Sequence, residues 1–271
     1  FIYDERRNRA ITSWKIRASR SSGTSVVNPV LLRKSVEHDS VYARHMHDTV
    51  KKNLMFHKAQ WKSHSVLVVD MSRSIRTNNV NGARCRSDGV WLVLARDFVK
   101  KQLDSGSASV CDMVSVVLMG DTASIPLAFE PLDWVLYNKL VDLREWTTAR
   151  PQGGGNYLPA LKMVERVLNY NDSGGCSLAL LVFSDGKPSD GNNQYDKIYK
   201  AIGELACKFG RRLVVSCVGM ADGKENFSVL EKMSAEAESF GCHSSFHKPS
   251  LSTDSLSTII TSLTSSMTFA F

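Results

Sequence analysis

At 271 residues, 43% hydrophobic and 23% charged, the chain is long enough for one large globular domain with an added segment and apolar enough to bury a sizeable core. No apolar run approaches the roughly 20 residues of a membrane-spanning helix; the run at residues 178–183, which none exceeds, has the length of a strand. The net charge of +7 mildly favours acidic partners or surfaces, and much of the excess sits in the first 62 residues, from Arg6, Arg7, Arg9, Lys15, Arg17 and Arg20 to Lys51, Lys52, Lys58 and Lys62.

In chain order, the opening FIYDERRNRA has no apolar segment behind its charges and does not read as a signal peptide. Residues 1–27 are basic and Ser-rich with weak periodicity, an arm expected to be mobile alone or ordered against a partner. Residues 28–60 read as mostly helical, on a loose stripe of Leu31, Leu32, Val36, Val41, His45, Val50 and Leu54, with Pro29 at a helix start. Residues 1–62 are thus expected to be a basic, partly helical extension, and 63–271 the main domain.

Beyond residue 65 the pattern alternates. Strands are expected at 66–69, 113–119, 124–129, 177–183, 213–218 and 243–247, and helices at 90–103, 134–143, 157–168, 195–209, 227–240 and 253–267. Only residues 120–123, with Gly120, Asp121 and Thr122 as the turn, separate the second and third strands, too few for a helical crossover, so these two must form a hairpin. Trp91, Trp134 and Trp146 read as core or helix-packing residues. The fold class is α/β: a doubly wound, mostly parallel sheet with one antiparallel edge strand and helices on both faces. The six cysteines include no C-x-x-C pair and suit free thiols in a reducing, intracellular and cytoplasmic setting.

In open parallel sheets ligands bind at the carboxyl ends of strands, near a topological switch point. Three loops fall there. Val66-Leu-Val-Val-Asp-Met-Ser-Arg-Ser74 runs four aliphatic residues into Asp70, with Ser72 and Ser74 following at alternate positions. A carboxylate and two hydroxyls make an all-oxygen set suited to Mg2+ or Mn2+ and not to zinc; without a metal they are turn residues. Phe183-Ser-Asp-Gly-Lys-Pro-Ser-Asp190 puts Asp185 at a second strand end, and two facing acids need a cation or a shared proton. Gly153-Gly-Gly-Asn-Tyr-Leu-Pro-Ala-Leu161 is a glycine turn opening a helix. His243 and His247 are spaced on a strand, not a helix face, and do not read as a zinc pair.

These three loops, from about residue 64 to 267, resemble the von Willebrand factor type A domain with its metal-ion-dependent adhesion site. The resemblance implies Asp70, Ser72 and Ser74 as first-loop ligands and Asp185 as a third-loop acid acting through water, with one Mg2+ or Mn2+. Where the family's second loop supplies a Thr, this chain has Gly155, beside Asn156, which could contribute in its place. The implied function is non-enzymatic: a protein-interaction domain gripping an Asp or Glu of its partner through the cation. Arg73, Arg76, Arg84, Arg86 and Lys187 would form a basic partner-binding rim, and the long loop of residues 75–89 a lid or specificity loop. Gly155 makes a metal-free scaffold within a larger assembly the main alternative. A haloacid-dehalogenase-like phosphatase, with Asp70 as nucleophile and Asp185 and Asp190 on Mg2+, is a further one, opposed by Ser72 where that chemistry needs a second acid. The basic arm leaves nucleic acid open as a partner, with no recognised motif.

Overall fold

The computed structural model describes residues 31–148, 153–170, 175–186, 188–191, 194–221 and 225–269. The arm at 1–27, Pro29 and Lys187 lie outside these residues.

Six strands form one sheet: β1 (Ser63–Asp70), β2 (Asp112–Met119), β3 (Ala123–Pro131), β4 (Ser177–Ser184), β5 (Leu213–Gly219) and β6 (His243–His247), in the order β3-β2-β1-β4-β5-β6. All neighbours run parallel except β3, which pairs antiparallel with β2 through two register shifts. The three-residue link between β2 and β3 dictates that hairpin. Alternate residues of β1 serve opposite faces: Val66 and Val68 join one core cluster, Leu67 and Val69 the other. Burial on both faces is why the strand reads as an uninterrupted aliphatic run.

On the first face lie α5 (Tyr157–Asn169), α6 (Tyr195–Phe209) and α7 (Ser228–Ser239); on the second lie α2 (Arg86–Val93), α4 (Trp134–Thr148) and α8 (Thr253–Phe269). The helical run expected at 90–103 starts earlier, at Arg86, passes through a π-helical stretch, Leu94–Lys100, and ends in α3 (Lys101–Ser105) at the left-handed Gly106. Its early start is set by Asp88, which accepts from the Arg84 backbone N–H at 2.9 Å and, within hydrogen-bonding distance, from the Arg84 and Arg144 guanidinium groups. That first turn is polar and gave no apolar signal. Trp91 is fully buried as expected, but Trp146 is 42% exposed and is not a core residue.

The α1 helix (Val41–Phe56), capped by Ser40 Oγ accepting from Ala43 N, covers the β3 edge. His47 sits between Glu130 and Asp133, 2.7 Å from each, and Lys51 and Lys139 also donate to Glu130. Burial works against an ionised Glu130, but the His47, Lys139 and Lys51 donors overcome it and hold its carboxyl down to about 2. Among the described residues no helix is long and apolar enough to cross a membrane.

Candidate functional site

The chain leaves β1 on one side to make β2 and β3 and returns on the other as β4, so the order reverses between β1 and β4. This is the switch point where the loops on either side diverge and open a crevice. Val69 pairs with Phe183, so Asp70 at the end of β1 and Asp185 just beyond β4 emerge side by side. Both are buried, as is Ser72, while Ser74 faces out.

Asp70 is bound on both oxygens. Oδ1 accepts from the Ser72 backbone N–H at 2.7 Å and Oδ2 from Ser184 Oγ at 2.6 Å. Ser184 Oγ accepts in turn from Tyr157 OH at 2.8 Å and from Gly186 N at 3.1 Å. Burial, then the neighbouring Asp185, pushes the Asp70 carboxyl up to about 6 against these hydrogen bonds. Burial also raises the Tyr157 phenol well above its ordinary value, keeping it a donor. The Ser72 and Ser74 hydroxyls lie 3.1 Å apart.

The glycine turn arrives against this pair. A Cβ on Gly155 would stand 3.2 Å from Asp70 Oδ1 and 3.4 Å from Ser72 Cβ, so this position abuts the first loop as the resemblance implied, with hydrogen where a hydroxyl-bearing side chain would project. Gly153 and Gly154 have no room for a side chain: a Cβ would fall 2.3 Å from Asp121 Oδ2 and 2.7 Å from Ser189 Cβ. The turn is laced to its neighbours by Arg73 N to Gly153 O, Gly154 N to Asp121 Oδ1, and the reciprocal pair of Gly155 N to Ser189 Oγ and Ser189 N to Gly155 O. Asn156 donates from Nδ2 to Asp121 O, while its buried Oδ1 finds no donor among the described residues. Asp190 accepts from Tyr157 N and Leu158 N, capping α5 from a distant loop.

The structure therefore brings Asp70, Ser72, Ser74, Asp185 and Gly155 together, while the Asn156 side chain turns to Asp121. It divides the expected rim. Arg73 and Arg76 are exposed, and Arg84 is tied to Asp88 and Glu145. Arg86 is not a rim residue: it is 4% exposed and points inward to Asp185. Nor is the segment after Ser74 a lid. Arg73–Arg76 is a 3-10 turn, and Asn81 is fastened to Leu251 O and Thr253 N, in a bridge opposite Ser252. Ser184, Tyr157, Asp121 and Ser189 were not anticipated. Ser184 was visible only as the residue before Asp185 in the Ser-Asp-Gly turn; Tyr157 opens α5, Asp121 and Ser189 lie in loops, and their proximity requires the fold.

The donor set fits a hard divalent cation. Magnesium–oxygen bonds of 2.0–2.1 Å place neighbouring ligands about 2.9 Å apart, close to the spacing of the two hydroxyls. Asp185 Oδ1 is buried and has no hydrogen-bond donor among the described residues, the condition in which a carboxylate oxygen calls for water or an ion. Among the described residues no three His, Cys, Asp or Glu side chains cluster as a metal site, so a cation here would need other oxygens beside the acids, such as the two hydroxyls.

No family model matches the chain, and no curated protein matches it in sequence. Solved structures do. BatB from Bacteroides thetaiotaomicron is 15% identical, over 76% of this chain and 98% of that one, with a TM-score of 0.56. The PilB minor pilin from Streptococcus sanguinis is 13% identical over 76% of this chain and 61% of its own, at 0.58. A von Willebrand factor type A protein from Catenulispora acidiphila is 13% identical over 76% and 43%, at 0.53. The fold is that of a von Willebrand factor type A domain.

Proposed function

We propose that this chain is a protein-interaction domain that grips a carboxylate of its partner through one divalent cation, Mg2+ or Mn2+, held by Asp70, Ser72, Ser74 and Asp185. Residues 63–271 are the interacting unit and 1–62 a segment appended to it. The observation that carries the reading is the meeting of two buried acids and a close hydroxyl pair at the switch point, with Asp185 Oδ1 lacking a donor among the described residues. Such a ligand set under-neutralises a hard cation and leaves coordination positions to water, which a partner's Asp or Glu replaces; the exposed Arg73 and Arg76 favour the approach of an acidic surface. No side chain is assigned a catalytic role, since Ser72 stands where a phosphatase of the alternative type needs its second acid. The six free cysteines, four of them buried, favour an intracellular, reducing setting.

The reading is tested with the Mn2+-loaded protein by water-proton relaxation. A peptide bearing one Asp displaces metal-bound water and lowers the relaxation enhancement, and the same peptide with Asn does not. Equal effects of the two peptides would remove the carboxylate from the account. The second reading, a metal-free scaffold, is favoured by Gly155, and it requires partner binding that is indifferent to chelator.

A further inference from the structure

Two arginines are buried near the start of α2. Arg144 meets Asp88, with Nε at 2.8 Å and Nη2 at 3.0 Å. Arg86 has no such carboxylate of its own. Its Nε donates to Asn79 Oδ1 at 3.0 Å, its backbone N–H donates to Thr77 O at 3.2 Å, and its Nη1 stands 3.6 Å from Asp185 Oδ2. Only 5% of the Arg86 side chain and 4% of that of Asp185 are exposed. A guanidinium carries a permanent charge, and taking it out of water is costly unless an anion lies beside it. Asn79 and the fastened loop around Asn81 fix its place, so its position does not depend on Asp185. The contact with Asp185 is electrostatic, longer than a hydrogen bond, and leaves the other carboxylate oxygen open to a further ligand.

We propose that Arg86 is a resident cation of the site, which neutralises Asp185 in the metal-free protein and opposes the divalent cation for that carboxylate. The first half stands on the ion pair alone; the second rests on the metal reading above. Two buried acids that would otherwise repel are offset in part by a charge built into the chain, so the loops hold their arrangement without metal. A divalent ion arriving beside a fixed guanidinium meets like-charge repulsion, and Gly155 withholds one ligand that would compensate. The site takes metal weakly as a result and exchanges it readily.

The first half is tested in EDTA by a thermal-melt cycle of wild type, Arg86→Met, Asp185→Asn and the double variant. Arg86→Met alone lowers Tm by about 5–10 °C, and adding Asp185→Asn restores at least about half of the loss. If Arg86→Met fails to fold, recovery of folding in the double variant is the expected result. Additive losses, or a double variant as unstable as the single one, overturn the pairing. The second half is read by Mn2+ calorimetry: Arg86→Met, or Arg86→Gln where the methionine variant does not fold, binds at least about tenfold tighter than wild type, as loss of a like charge requires. Unchanged or weaker affinity overturns the competition. Absence of binding in both proteins ends the metal reading and with it the competition, while the EDTA cycle still decides the pairing.

Discussion

Asp70 is pulled two ways. Its hydrogen bonds from Ser72 and Ser184 favour the carboxylate, while burial and Asp185 favour the acid and prevail, raising it to about 6. With the midpoint above the ordinary value near 4, the fold prefers Asp70 protonated. That contribution is fully present below about pH 4 and is lost as pH rises through about 6, leaving an ionised group at a cost on the order of 3 kcal/mol. In EDTA, the stability of wild type relative to Asp70→Asn therefore falls by roughly 2–3 kcal/mol between about pH 4.5 and pH 7.5, measured by urea unfolding; a pH-independent difference contradicts this. Gly155 makes the complementary case. Its backbone is not in the left-handed region, and a Cβ there would be tight but near Asp70 and Ser72. Gly155→Thr adds a hydroxyl at that spot and should tighten Mn2+ binding at least about tenfold, whereas Gly155→Ala, which adds bulk without an oxygen, should not. Calorimetry on the two variants separates ligand from packing.

At the scale of elements, the glycine turn and α5 are held by groups from elsewhere. Asn156, in the N-cap position, makes no side-chain cap; Asp190 supplies it, accepting from Tyr157 N at 2.6 Å and Leu158 N at 3.1 Å. Its charge also suits the positive end of the helix. Asp190→Ala should cost about 1–2 kcal/mol in urea unfolding, and a loss below a few tenths would show the cap to be idle. The seat of α1 on β3 has its own pH window. His47 is raised by Asp133 and Glu130 against burial, which works the other way, so its contribution is complete below its ordinary value near 6.5 and is lost as pH rises through the folded midpoint. Glu130, held to about 2, contributes fully above about pH 4.5 and loses this as pH falls towards 2. Hydrogen exchange of the α1 amides should be most protected, after correction for intrinsic rates, between about pH 4.5 and 6.5, and His47→Gln should abolish the alkaline loss.

Across the whole molecule, what was legible came from periodicity and from breaks in it. The aliphatic run of β1 ending at Asp70 and that of β4 ending beside Asp185 gave the strands, their parallel pairing and the two acids at one edge. The three-residue link gave the antiparallel edge strand. The polar start of α2 was not legible, because Arg86 and Asp88 look like solvent-facing residues until partners from other parts of the chain bury them. Ser184 holding Asp70 and Asp190 capping α5 were hidden for the same reason, since each acts across a long separation in sequence. Fold similarity at 13–15% identity to bacterial structures fits that division: the alternation that builds the sheet tolerates extensive substitution. Calorimetric titration of the protein with Mg2+ and Mn2+ beside Asp70→Ala decides whether these loops hold a divalent cation. Saturable one-site binding that the substitution abolishes is the expected result. No binding by wild type at millimolar metal, or equal binding by the two proteins, would contradict it.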